Sequence, residues 1–133
     1  MHTATVLYDR DCGFCRWSLS KILAWDRARR LRPVSIQSEE GQRLLDAAGV
    51  PEERRMESWH LVHADGRVQS AGAAFPALFE MLPAGAPIAK LTRALPRLSE
   101  RGYFLVANNR SLFGKPVTRA MRERADAKID ARR

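Results

Sequence analysis

The chain has little cysteine: two residues in 133, Cys12 and Cys15. Two sulfurs so close in sequence cannot staple distant segments, so a disulfide framework is excluded and an apolar core must carry the fold. Long hydrophobic runs are also missing. No stretch approaches the roughly 18 apolar residues that a membrane span needs. Residues 1–6 lack the charged-then-apolar layout of an export signal and lead directly into a strand pattern. The expected location is therefore the cytoplasm, with no membrane association. Acidic residues are few, 15 against 23 Lys and Arg, which gives a formal charge of +8 and a pI near 10.5. Such a balance invites a nucleic-acid reading. The arginines are scattered, however (Arg27, Arg43, Arg54, Arg93 and Arg101 among them), and no nucleic-acid motif accompanies them. The charge reads first as a preference for Arg and a solubilising surface, with a basic surface that attracts acidic partners as the alternative, and no nucleic acid is expected.

What is present suffices for one folded domain. Hydrophobic residues make up 45% of the chain, enough for a core at this length. Residues 3–8 read as a buried strand. Residues 12–29 read as a helix with Asp11 as its N-cap and an apolar stripe of Cys15, Leu19, Ile22 and Leu23. Residues 31–36 form a second strand in which Pro33 argues for an edge. A helix over 38–48 closes at Gly49. A hairpin pairs 58–63 with 67–69 around Asp65-Gly66. Helices follow over 71–82, 88–98 and 99–108, with a break at Pro96. Residues 118–133 read as a solvated helix or a frayed tail. The order β-α-β-α-β-β-α is that of a thioredoxin-like α/β fold: a central mixed sheet of about four strands, flanking helices and a helical C-terminal extension. The expected division is one domain over 1–116 and a charged helix or tail over 117–133.

The chemistry concentrates at Cys12-Gly13-Phe14-Cys15. On the first turn of a helix, side chains three apart share a face, close enough for a disulfide. The first sulfur also meets unpaired backbone N–H groups and the positive end of the helix dipole, which favour a thiolate. Cys12 is thus the candidate nucleophile. Cys15, on the apolar stripe, is expected to be buried and to resolve the mixed disulfide. Asp9 and Asp11 oppose ionisation of Cys12 while Arg10 and Arg16 favour it, so the sign of the net shift stays open. Asp9 reads equally as a turn residue or as a proton acceptor near the buried sulfur, and Asp11 as a bare cap or a catalytic carboxylate.

A zinc site built from Cys12, Cys15, His60 and His63 is disfavoured. The two histidines stand at odd spacing on one strand and face opposite ways, so no metal is assigned. Phe14, Trp17 and Trp25 form a second stripe on the first helix. It is either covered by the C-terminal helices or left as an apolar docking surface beside Cys12.

Tyr8-Asp9-Arg10-Asp11-Cys12-Gly13-Phe14-Cys15 resembles the opening motif of the DCC family of predicted thiol-disulfide oxidoreductases, whose hallmark is Asp-x-Asp-Cys-x-x-Cys after the first strand. The likeness continues in order through Leu31 to Ser38, Asp65-Gly66-Arg67-Val68, and Tyr103 to Arg110 with Phe113-Gly114, over roughly residues 4–116. The resemblance implies a thioredoxin-like fold and disulfide-reductase chemistry, with Cys12 and Cys15 as the redox pair. The wider thioredoxin class carries a cis-proline before its third strand. Here that stretch is Arg55-Met56-Glu57-Ser58-Trp59, without proline. Glu57 and Ser58 are then the substitutes expected to line the site, together with Gly13 and Phe14 between the sulfurs. Asn109 and Arg110 match the family signature, either as a structural helix end or as part of the active site.

The expected activity is therefore thiol-disulfide exchange on a disulfide-containing protein or a small thiol. It requires no bound cofactor, and glutathione or a thioredoxin-type system could return the electrons. The alternative is a thioredoxin-like binding module whose Cys-x-x-Cys is a redox sensor or a metal or cluster ligand shared between subunits.

Overall fold

The computed structural model describes residues 3–132, apart from the side chains of Ser111 and Phe113. Met1, His2, Arg133 and the Phe113 ring of the family motif lie outside the described residues. β1 (Ala4–Tyr8) leads to α1 (Gly13–Trp25), β2 (Leu31–Ser35) and α2 (Glu39–Ala47). A 3₁₀ turn over Glu52–Arg54 precedes the hairpin of β3 (His60–His63) and β4 (Val68–Ser70). The rest is helical: α3 (Phe75–Glu80), α4 (Ala86–Ala94), α5 (Pro96–Asn108), α6 (Arg110–Gly114) and α7 (Arg119–Asp130).

The four strands form one mixed sheet in the order β2-β1-β3-β4. β1 is central, parallel to β2 and antiparallel to β3. Its alternation sends Ala4, Val6 and Tyr8 to one face and Leu7 to the other. On the first face they pack with Leu19, Leu23, Leu31, Leu61, Leu78 and Ile129, under α1, α3 and α7. On the second, Leu7 joins Val34, Ile36, Val62 and Leu45 under α2. This three-layer arrangement is the expected thioredoxin-like α/β class. Pro33 sits opposite Val6 in an edge strand, where a missing N–H is tolerated.

Local chemistry sets the boundaries. Ser38 Oγ accepts from Gly41 N at 3.0 Å and caps α2, with Glu39 and Glu40 against the helix dipole. Gly41 is obligatory there, because a Cβ would stand 2.2 Å from Ser35 O. Pro76, Pro87 and Pro96 each occupy the first turn of a helix, where a proline costs no hydrogen bond.

Several expectations are corrected. α1 stops at Trp25, not near residue 29, because the Asp26 backbone turns out of the helix and Arg29 takes a positive φ. The helix expected over 71–82 opens as a 3₁₀ segment, Ala71–Ala74. The Pro96 break is real, but α5 begins at that proline instead of at residue 99. The C-terminal helix forms and is not solvated on all sides. α7 packs along α1, with Ala125 1% and Ile129 2% exposed. Its small alanines admit a close approach that hydropathy alone does not report.

Candidate active site

The β1–α1 junction is built by Asp9. Its Oδ1 accepts from Asp11 N at 2.9 Å and from Gln37 Nε2 at 2.7 Å, and its carbonyl receives Cys12 N at 3.3 Å. This turn consumes residues 9–11, so the helix begins one residue later than expected. The N-cap is Cys12, not Asp11. Cys12 Sγ accepts the Cys15 N–H at 3.2 Å, the place a serine or aspartate oxygen usually takes. The Asp11 carboxylate is 78% exposed, beside Arg10 at 3.9 Å.

Both cysteines are free thiols and both are half-buried. Cys15 is therefore less buried than its place on the apolar stripe implied. Leu19 and Leu23 enter the core, while the outer end of the stripe emerges in a groove. The two sulfurs ionise in opposite senses. The Cys15 thiol, donating to Cys12, pulls the Cys12 pKa down to about 6, helped by the Cys15 N–H and Arg110 against burial and Asp9. The same hydrogen bond, with burial, pushes Cys15 far up and keeps it protonated. The sign left open by the sequence is thus negative for Cys12, and Asp9 is the least of its causes.

Arg110 reaches this pair from α6. Its Nη1 lies 3.8 Å from Cys15 Sγ and 3.6 Å from Asp9 Oδ2. The two readings of the Asn109-Arg110 signature separate here. Asn109 ends α5, with Nδ2 on Leu105 O at 2.7 Å, and Arg110 stands at the sulfurs.

Beside Cys15 opens a groove of about 660 Å³. Asp9, Phe14, Cys15 and Ile22 line one side, Met56, Ser58 and Trp59 the approach to β3, and α3, α4 and α5 the rest. Ring contacts of 5.8–6.1 Å run from Trp25 through Phe79 and Phe75 to Trp59 and Tyr103. Of the expected substrate contacts, Phe14 and Ser58 reach this groove. Glu57 is exposed and lies outside its wall, and Gly13 faces Arg122 of α7. Tyr103 stood only in the family signature, with no place in the site assigned to it, and the α4 residues Ile88 and Thr92 of the wall carried no signal in the sequence. A second hollow of about 700 Å³ is walled in part by Arg30, Arg67, Arg93 and Glu80, and neither Cys12 nor Cys15 lines it.

His60 is held between Ser70 Oγ at 2.6 Å and Arg55 O at 2.9 Å, and His63 meets Gln69 Oε1 at 2.8 Å. The Phe14/Trp17/Trp25 stripe divides. Phe14 and Trp17 rings stand 6.1 Å apart, while Trp25 bonds Pro83 O at 2.7 Å on the α3 side. No helix among the described residues is long and apolar enough to cross a membrane.

The Cys12 chemistry yields a pH prediction. Below about pH 6 the sulfur holds its proton and is inert; above it the thiolate reacts. The rate of Cys12 alkylation by iodoacetamide should therefore rise with a midpoint near 6. Cys15→Ala should move that midpoint up most, and Arg110→Met less, following the order of their contributions. A midpoint at the ordinary thiol value would contradict the cap geometry.

A family model described as DCC1-like thiol-disulfide oxidoreductase matches residues 6–115. Among curated proteins, the uncharacterized protein YuxK of Bacillus subtilis (strain 168) is 30% identical over 112 residues, covering 83% of this chain and 80% of that protein. No solved structure matches.

Proposed function

The chain belongs to the DCC1-like thiol-disulfide oxidoreductase family, and from that membership we propose that it works as a disulfide reductase with Cys12 attacking and Cys15 resolving. The observation that carries this reading is the capping geometry: Cys12 Sγ at the helix N-terminus, ionised at neutral pH, with a protonated thiol three residues on.

The Cys12 thiolate attacks one sulfur of a substrate disulfide. The S–S bond breaks, and the leaving thiolate takes a proton from solvent. With Cys12 now in a mixed disulfide, the hydrogen bond that held Cys15 protonated has lost its anionic acceptor. Cys15 gives up its proton to solvent, and Arg110 at 3.8 Å stabilises the new thiolate. This thiolate attacks Cys12 Sγ and expels the second substrate thiol. Two electrons have passed from the dithiol to the substrate, and an external dithiol or two molecules of glutathione restore the pair. Asp9 serves by holding Arg110 and the turn in place. A nucleophile with a pKa near ambient pH suits exchange, because it combines thiolate population with reactivity. The reductive direction accords with the cytoplasmic setting expected from the sequence.

The test is equilibration in glutathione buffers, with free thiols counted by alkylation and mass. One two-electron transition to an intramolecular Cys12–Cys15 disulfide, at about −200 to −270 mV, is expected. Failure to form that disulfide would overturn the redox role. A potential near about −120 mV would reverse the direction.

A further inference from the structure

The groove beside Cys15 offers a ligand little to hydrogen-bond. Three hydroxyls in its wall turn back to their own chain: Thr92 donates to Ile88 O at 3.0 Å, Ser99 to Leu95 O at 2.9 Å and Ser58 to Trp59 O at 3.2 Å. The backbone at Trp59, just ahead of β3, is also taken. Its N–H donates to the Tyr103 hydroxyl at 3.1 Å, and its carbonyl receives Ala71 N at 3.3 Å. A substrate strand cannot pair at that residue, so recognition there falls to apolar side chains. The volume, about 660 Å³, lies within the range that encloses drug-sized ligands. The apolar wall continues to the surface through Met56, Ile88 and Leu98, which are 42%, 39% and 62% exposed.

Charge narrows the occupant. Among the described residues Arg110 is the one cation in the wall, and it already faces Asp9 and Cys15. Glutathione disulfide, with its carboxylates and ammonium groups, would lose hydration there without partners. Outside the groove the balance differs: α4 and α5 carry exposed Lys90, Arg97 and Arg101 against Glu100, with Arg93 already paired to Glu80. Cys12 lies outside the wall while Cys15 lies in it. The sulfur attacked and the group bound are then separated by about one helical turn, roughly 5 Å, which one or two extended residues span.

We infer that the groove recognises a polypeptide in which bulky apolar residues flank the reacting disulfide and acidic residues lie farther along the chain. This rests on the redox reading of Cys12 and Cys15. When the substrate sulfur joins Cys12, the neighbouring apolar side chain enters the groove beside Cys15, and the acidic ends meet the cations of α4 and α5.

Three disulfide-linked peptides test this: one with Phe and Leu beside the cysteine and Glu at its ends, one with Ser replacing Phe and Leu, and one apolar with Lys ends. The first should exceed the second in kcat/KM by about tenfold or more. It should exceed the third several-fold, a margin that shrinks at high salt. Gly102 lines the groove, and a Cβ there meets nothing within 4 Å. Gly102→Leu should therefore fold, project into the groove and bring the apolar-to-serine ratio towards one. Equal rates for the apolar and serine peptides, or an unchanged ratio in Gly102→Leu, would overturn the inference. Indifference to Glu against Lys ends would remove its acidic part. A thioether analogue of the first peptide, followed by tryptophan fluorescence, separates the two levels. Binding of the analogue by a protein that forms no Cys12–Cys15 disulfide overturns the redox reading and leaves the groove's specificity standing. A pair that cycles normally with no binding and no preference sinks the groove alone.

Discussion

Cys12→Ser should reduce disulfide turnover to the uncatalysed background, while Cys15→Ala should stop the reaction halfway with substrate attached. The two variants part because the sulfurs differ in charge and place. Serine at position 12 keeps the N-cap, since its oxygen can accept the Cys15 N–H that Cys12 Sγ now takes at 3.2 Å. The helix survives and the thiolate is gone, so loss of activity cannot be laid to misfolding. Cys15→Ala removes no main-chain bond and leaves a good helix former, but the mixed disulfide on Cys12 then has no internal attacker. One substrate half per chain should accumulate, visible as a mass adduct released by added thiol. Because the Cys15 thiol is the main cause of the lowered Cys12 pKa, this variant attacks slowly at neutral pH. The trapping experiment therefore belongs near about pH 9, where any Cys12 thiol is substantially ionised. Full turnover by Cys15→Ala without added glutathione would remove Cys15 from the resolving role. Persistent activity in Cys12→Ser would transfer the nucleophile to Cys15.

The fold was legible where the pattern is local. The buried strand over 3–8, the Asp-Gly turn of the hairpin and Gly49 as the stop of the second helix are read from neighbours in sequence, and each stands where expected. The pair Cys12 and Cys15 was legible for the same reason, as a spacing at a strand-to-helix junction. The cap itself was misread by one residue. Asp9 accepts from Asp11 N and so spends position 11 on the turn, and a cap-forming Asp11 cannot reveal that choice. Arg110 was beyond periodicity altogether. It meets Cys15 across 95 positions of sequence, and only its place in a family signature drew notice, without a role. The groove had no linear signal, because Trp59, Phe75 and Leu98 come together from separate elements. The C-terminal helix misled for a chemical reason. Its buried face is Ala125 and Ile129, and just past its end Arg132 has a side chain only 11% exposed; such an arginine reads as a solvated one until its partner is seen.

That partner is Asp26, and the largest structural effect is expected from Asp26→Ala. The Asp26 side chain is 0% exposed, and Arg132 meets its Oδ2 at 2.9 Å while itself only 11% exposed. The carboxylate also accepts from Arg30 N at 3.1 Å and Leu31 N at 2.9 Å, fixing the entry to β2. Arg132 in turn donates to Leu23 O at 2.7 Å and Asp26 O at 2.8 Å, tying the end of α7 to the end of α1. Removing the carboxylate strands a guanidinium with little water and orphans the buried Leu31 N–H and the half-buried Arg30 N–H. Breaking a buried pair from one side costs about 3–5 kcal/mol, a large share of the roughly 5–15 kcal/mol that holds a domain together. Urea denaturation should show a loss of that size in Asp26→Ala. Arg132→Ala should lose less, because the two backbone N–H groups still serve the carboxylate. In Asp26→Met with Arg132→Met the losses should fall short of additive, since no charge is left unpaired. A change under about 1 kcal/mol in Asp26→Ala would mean that water reaches the pair. The consequence extends to the sulfurs. α7 also braces the first turn of α1, where Arg16 pairs with Asp126 at 2.9 Å and Arg122 lies against Gly13. A helix loosened at Arg132 should therefore raise the alkylation midpoint of Cys12 from about 6, because the hydrogen bonds from the Cys15 thiol and N–H that lower it depend on a fixed first turn.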